Sequence, residues 1–284
     1  MSNISNYKSL TVEVSNKIAH IKLNRPDAFN SMNLDFWQEF PTVIHDINNE
    51  SAARVIVISS TGKHFCAGMD LSVFTQSEQD TTMELGRKHE QLRRTVLRLQ
   101  ECFNVLEKAR MPILMAIQGG CIGGAVDLVS AADCRYCTSD AFFSIEETKL
   151  AMTADLGTLQ RLPKLISMGL VKELAYTGRR MPAQEAKDAG LVNSVYDVQE
   201  SMLTAVMAIA TDIAARSPLA VTGCKEMINY ARDHSVADSL NYMSVWQSGM
   251  FQPQNDMMET FKAKAKNRPP EFDDLAPIDN SKVL

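Results

Sequence analysis

Residues 113–127 read ILMAIQGGCIGGAVD, and the fold turns on that run. Ile113–Ile117 is an unbroken apolar strand, Gly119-Gly120 a turn, and 123–132 a short helix. Further strands are expected at 134–137 and 142–145. A strand without alternation is covered on both faces. Strand, helix and strand in quick succession mean α/β layering.

Upstream, residues 10–14 alternate, Ser15-Asn16-Lys17 turn, and Ile18–Leu23 alternates again, which predicts a hairpin. Asn33 can cap a helix whose apolar positions Phe36, Phe40, Val43, Ile44 and Ile47 keep helical spacing. Pro41 lies inside that pattern and is expected to kink or split it. Val55-Ile56-Val57-Ile58 is a second strand of the fully covered kind. A long helix over about 84–108 carries Leu92, Val96, Leu99, Phe103 and Leu106 as one stripe, expected to be core. From Asp155 onward helices dominate, interrupted by one strand at 191–195. The division that follows is an α/β core with the active site over 1–197 and a helical region over 198–284.

The 284 residues suffice for one large domain or two modest ones with a sizeable core. A 45% hydrophobic and 22% charged composition excludes collagen-like, coiled-coil and wholly disordered chains. The net charge of −5 argues against nucleic-acid and anionic-membrane partners, while leaving room for a local basic pocket. The apolar segment 111–126 is interrupted by Pro112, Gln118 and two Gly pairs, so no bilayer span is expected. The six cysteines lie mostly in apolar runs and read as free thiols in a reducing compartment. Cys134 and Cys137 form a C-x-x-C, but three positions apart on a strand they face opposite sides, so no metal is expected there. The opening MSNISNYKSL has neither an apolar nor an arginine-rich run, and the tail Ser281-Lys282-Val283-Leu284 is not an S-K-L address. A cytoplasmic location is the resulting expectation.

Polar residues are scarce in the apolar middle, which singles out Asp127 inside its helix. Burying a carboxylate costs several kcal/mol unless it is paired or its pKa shifts. Glu146-Glu147 follow a strand, and Asp155 precedes the next helix. Asp155 could equally serve as a helix cap and Glu146 as a solvated strand end. Two glycine-bearing turns, HFCAGMDL at 64–71 and GGCIGG at 119–124, let backbone N–H groups approach a ligand, and the second aims a helix N-terminus at it. Together they can form a two-donor oxyanion hole for a thioester enolate.

Asn24-Arg25-Pro26, Phe65 to Leu71, Gly119 to Gly124, Ala132-Asp133-Cys134-Arg135, Thr177-Gly178, Glu185-Ala186 and Gly190-Leu191-Val192 occur in an order and spacing that resemble the enoyl-CoA hydratase/isomerase (crotonase) superfamily. The resemblance implies a crotonase (ClpP-like) fold: a spiral of ββα units with a C-terminal helical region for trimerisation and ligand capping. The stretch from Gly119 through Asp127, then Arg135-Tyr136-Cys137, Asp140 to Phe143 and Ala154 to Pro163, is most similar to the Δ3,5-Δ2,4-dienoyl-CoA isomerase branch. That branch implies Asp127, Glu147 and Asp155 as its three acidic positions.

The implied reaction in fatty acid β-oxidation shifts a 3,5-dienoyl-CoA to its 2,4-isomer. Glu147 and Asp155 exchange protons at C2 and C6, either taking the first, and Asp127 tunes them or stabilises the developing charge. Met69 and Gly124 are the implied oxyanion donors. Ala67, Gly68, Met69, Asp70 and Leu71 are expected to line the thioester end, Arg25 to Ala28 the CoA moiety, and Phe261 and Lys264 the adenine of a neighbouring subunit. The CoA thioester is the substrate, no metal or redox cofactor is implied, and relatives form trimers and dimers of trimers. A 2-enoyl-CoA hydratase using Asp127 and Glu147, and a non-catalytic RNA-binding protein of the same fold, are the alternatives.

Overall fold

The computed structural model describes residues 7–75, 83–251 and 253–278. Residues 1–6 of the opening and the tail at 281–284, on which the leader and address readings rest, lie outside them. Strands β1 (Leu10–Ser15) and β2 (Ile18–Leu23) pair antiparallel as expected. Asn16 and Lys17 between them both have positive φ, 49° and 65°, a two-residue turn whose twist matches the strands.

Helix α1 (Leu34–Glu50) returns the chain so that β3 (Val55–Ser60) runs parallel to β2. Asn33 Oδ1 accepts the Phe36 N–H at 3.0 Å, the expected cap. The split foreseen at Pro41 does not occur, and α1 stays one helix of 17 residues. Pro41 withholds a single N–H, while Phe36 and Phe40 on one side and Val43 and Ile44 on the other hold both halves in the core.

After the single turn α2 (Ser72–Thr75) comes the long helix α3 (Leu85–Lys108). Its stripe is core only in its second half: Phe103 and Leu106 are buried and Leu99 packs on them, but Leu92 is 62% exposed. Among the described residues nothing covers that first half. β4 (Ile113–Ile117), β6 (Cys134–Thr138) and, later in the chain, β9 (Ser194–Tyr196) extend the main sheet, whose order is β1-β2-β3-β4-β6-β9. β5 (Gly120–Ile122) and β7 (Phe142–Ser144) leave it to form a second sheet with β8 (Met181–Pro182), and α4 (Gly124–Ser130) lies between them in sequence.

Helices α5 (Thr158–Leu165), α6 (Met168–Thr177) and α7 (Ala183–Asp188) follow, then β9 (Ser194–Tyr196). The last strand thus starts later than the expected 191. The Leu191 and Val192 N–H groups donate to the Ala186 carbonyl at the end of α7, which keeps both residues out of the ladder. Helices α8 (Gln199–Ala214), α9 (Pro218–Asp233), α10 (Val236–Met250) and α11 (Met258–Ala265) complete the chain.

The middle of the main sheet, at β3 and β4, is covered on both faces, which explains why those strands do not alternate. Ile56 and Ile58 face the principal core, while Val55 and Val57 face α8 through Met202, Val206, Ala210 and Ala214. Cys134 packs with the second group and Cys137 with the first, so the two thiols stand on opposite faces. Helix α9 is anchored by Lys225, whose ammonium donates to the Leu106 and Met111 carbonyls and lies 2.9 Å from Asp133. Among the described residues no single helix is long and apolar enough to cross a membrane.

Candidate active site

The two glycine turns are stapled together. Cys66 N–H donates to the Gly120 carbonyl and Ile122 N–H to the Cys66 carbonyl, both at 3.1 Å. A second lacing joins the first turn to the segment before α1: Ala67 N–H to Phe29 O at 3.0 Å, Met32 N–H to Gly68 O at 2.8 Å and Asp70 N–H to Met32 O at 3.1 Å. Gly68 has φ +83°, and a Cβ there would stand 2.6 Å from the Ile122 carbonyl, so only glycine permits this approach. The pairing leaves the N–H groups of Met69 and Gly124 without an acceptor among the described residues. A Cβ on Gly124 would lie only 3.9 Å from the Met69 nitrogen. Two neighbouring free donors, one at a helix N-terminus, are what a developing oxyanion needs.

Asp127, on α4, is 1% exposed, and its Oδ1 accepts the Thr158 N–H at 2.6 Å. The capping role considered for Asp155 therefore falls to Asp127, reaching across from another helix. Helix α5 begins at Thr158 after Gly157, so Asp155 stands too far ahead to cap it. The Asp155 carbonyl instead accepts from Gln100 Nε2 at 2.7 Å. Glu147 starts a short 3₁₀ turn (Glu147–Leu150) behind β7. Its Oε1 lies 3.4 Å from where a Cβ on Gly123 would be, and its Oε2 is buried without a hydrogen-bond partner. Glu146 is not simply solvated, since its Oε1 accepts from Ser144 Oγ at 2.6 Å and from Lys149 at 3.0 Å.

Burial pushes the Asp127 carboxyl up to about 7, with the charges of Glu147 and Asp155 adding to the rise. Burial likewise raises Glu147, reinforced by Asp155, and raises Asp155 itself. The three acids thus sense one another's charge. A carboxylate in such a setting is a stronger base, and a carboxylic acid persists closer to neutral pH.

Arg25 does not extend freely toward solvent. Its Nη1 and Nη2 each lie 3.1 Å from Asp70 Oδ2, which also accepts from Ser31. Hydrogen bonds from Ser72 and then from Arg25 and Ser31 bring the Asp70 carboxyl down to about 2. This ion pair ties the 3₁₀ turn Pro26–Ala28 to the oxyanion turn. Ala28 and Ala67 are half-buried beside it, and Leu71 is 67% exposed at its rim. On α11 Phe261 and Lys264 are exposed.

Three residues without a sequence signal also shape the site. The Met32 sulfur would touch a Cβ on Gly124 at 3.6 Å. His64 Nδ1 accepts the Gly120 N–H at 2.9 Å and so steadies the second turn. Gln100 sits on the polar side of α3, where it looks like any solvated position.

The enoyl-CoA hydratase/isomerase family matches residues 13–275. The chain is 45% identical over 265 residues to the mitochondrial Delta(3,5)-Delta(2,4)-dienoyl-CoA isomerase of Pongo abelii, covering 92% of this chain and 80% of that protein. It is 41% identical over 276 residues to the peroxisomal protein of that name from Arabidopsis thaliana, covering 95% and 98%. Among solved structures, an enoyl-CoA hydratase from Bacillus anthracis superposes with a TM-score of 0.84 at 31% identity, over 96% of this chain and 100% of that one. Relatives named as mitochondrial and peroxisomal overturn the cytoplasmic location expected from the two chain ends. Organelle addresses are read by receptors and are set apart from the packing that fixes the fold. Over most of its length and with its glycine turns in place, this chain belongs to the enoyl-CoA hydratase/isomerase family, with the crotonase fold.

Proposed function

We propose that this protein is a Δ3,5-Δ2,4-dienoyl-CoA isomerase of fatty acid β-oxidation, moving a proton from C2 of the acyl chain to C6. What supports the reading most is a third acid, Asp155, placed near enough for its charge to act on Asp127 and Glu147, two residues before Gly157, after which the Asp127-capped helix α5 begins. Hydration of a 2-enoyl thioester adds across C2 and C3 and needs no acid at a distant carbon, whereas a shift across two double bonds does.

Glu147 takes the C2 proton. C2 is bonded to the thioester carbon, so its base must stand beside the oxyanion donors, and Glu147 Oε1 abuts Gly123 next to Gly124. The C2–H electron pair enters a conjugated enolate running from the thioester oxygen to C6, with Met69 and Gly124 N–H groups holding the oxygen. Asp155 then delivers its proton to C6, leaving double bonds at C2 and C4. Asp127, fixed to the start of α5, tunes the pair through its charge. The sum is a proton shift with no change of oxidation state, so it calls for no redox partner, and the backbone donors fill the place of a metal.

In this reading the chain from Ala67 through Gly68, Met69 and Asp70 to Leu71 borders the thioester and pantetheine, and the Arg25 to Ala28 turn borders the CoA. Assembly as a homotrimer or a dimer of trimers brings Phe261 and Lys264 of one subunit toward the adenine of the next. Ultraviolet-monitored conversion of a 3,5-dienoyl-CoA by the purified protein tests the activity, with hydration of a short 2-enoyl-CoA as the contrast. Asp155→Asn should lower isomerisation by roughly 10²–10⁴-fold, chiefly in kcat. Parent-rate turnover by Asp155→Asn would refute the two-carboxylate shuttle.

A further inference from the structure

Among the described residues the Asp155 carboxylate makes no side-chain hydrogen bond to another residue, so its position is set through its backbone. Three contacts fix that backbone, and all lead to one face of α3. Gln100, Asn104 and Glu107 stand at i, i+4 and i+7, which places them in a row along the helix. Gln100 Nε2 donates to the Asp155 carbonyl at 2.7 Å. Arg161, only 9% exposed, directs its Nη1 toward the Leu156 carbonyl at 3.4 Å. The same nitrogen lies 1.8 Å from where a Cβ on Gly157 would be, so the guanidinium rests directly on that glycine. Arg161 is held in turn by Asn104 Oδ1 at 2.6 Å and Glu107 Oε2 at 2.9 Å. Glu107 also pairs with Arg232 of α9, so the row joins the helical region to the loop. Gln100, Asn104, Arg161 and Arg232 line an open cleft of about 320 Å³ together with Leu156 and Gly157 of the loop.

We propose that the Gln100–Asn104–Glu107 row, with Arg161, holds the 155–157 loop in register with C6, making Gln100 and Arg161 positioning residues for the second proton transfer. This rests on the isomerase reading above. A displacement of about 1 Å in a reacting group can cost on the order of 10²-fold, so a backbone tether one residue from the acid matters to rate.

The test is a pair of double-mutant cycles in the full-length protein. Gln100→Leu removes the donor at a surface-accessible position, and Arg161→Lys keeps the charge while losing the planar fork. Each is measured alone and with Asp155→Asn for kcat and KM on a 3,5-dienoyl-CoA, alongside its melting temperature. Gln100→Leu is expected to lower kcat by about 10-fold or more with KM nearly unchanged, and to cost nothing further when Asp155 is already Asn. A purely structural role would instead lower the residual rate of the Asp155→Asn protein by the same factor. Full additivity, or a Gln100→Leu protein with parent kcat, overturns the proposal. Should Arg161→Lys fail to fold, the Gln100 cycle decides alone. A parent protein that does not turn over a 3,5-dienoyl-CoA fails the isomerase reading, whereas an Asp155→Asn protein at the parent rate overturns the tether together with the two-carboxylate shuttle.

Discussion

Helices α4 and α10 stand at opposite extremes of the same molecule. All seven residues of α4 are buried, Asp127 among them, whereas no residue of α10 is. Helix α4 exists because the stapled glycine turns and the core leave it one place to go, and that confinement gives Asp127 its raised pKa. Helix α10 shows solvent its own apolar residues, Val236 at 77%, Leu240 at 65% and Val245 at 62% exposed. The candidate site thus lies where packing over-determines position, while α10 presents an apolar surface that the single chain does not cover.

The sharpest way to break the contrast is at the staple. Gly68→Ala puts a methyl group 2.6 Å from the Ile122 carbonyl at φ +83°, so the two turns must separate. Turnover of a 3,5-dienoyl-CoA should fall by roughly 10²–10³-fold, the loss typical of one missing oxyanion donor. An equal rate from a folded Gly68→Ala protein would remove the staple from the mechanism. Gly124→Val, at the donor itself, should fall by about 10²-fold or more.

Next in size is the pH response of Asp127. Its folded value of about 7 exceeds the unfolded 3.8, so between those values the folded state binds the extra proton. Stability contributed at this site therefore falls as pH rises from about 4 to about 7, by no more than about 1.4 kcal/mol per pH unit. Asp127→Asn should flatten that slope in urea melts across the window. An unchanged slope would mean that Asp127 titrates like an exposed acid.

The smallest effect on the chain itself belongs to α10. Leu240→Asp should alter its stability by no more than about 0.5 kcal/mol, as surface changes do. Sedimentation should nonetheless report a smaller assembly. Retention of the parent mass would exclude this face from the subunit interface.

Much of this architecture is readable from local pattern. The hairpin around Asn16 and Lys17, the cap at Asn33, the doubly covered strands and the glycine turns all depend on neighbours within a few residues, and periodicity records such neighbours. Asp127 stands out by its rarity in apolar surroundings, whereas the choice of Glu147 over Glu146 and of Asp155 as an acid rather than a cap comes from resemblance alone. Tertiary contact alone made Asp127 the cap of α5, a bond between residues 31 apart, and freed Asp155 from that duty. It also turned Arg25 onto Asp70, 45 residues away, and set Gln100 against Asp155 across 55 residues. The uncovered half of α3 belongs to the same class, because an apolar stripe specifies a face to bury and not the partner that buries it. Side-chain spacing encodes the geometry of a single helix or strand, whereas these pairings depend on how the packed elements bring distant backbone donors and acceptors within 3 Å or so of each other.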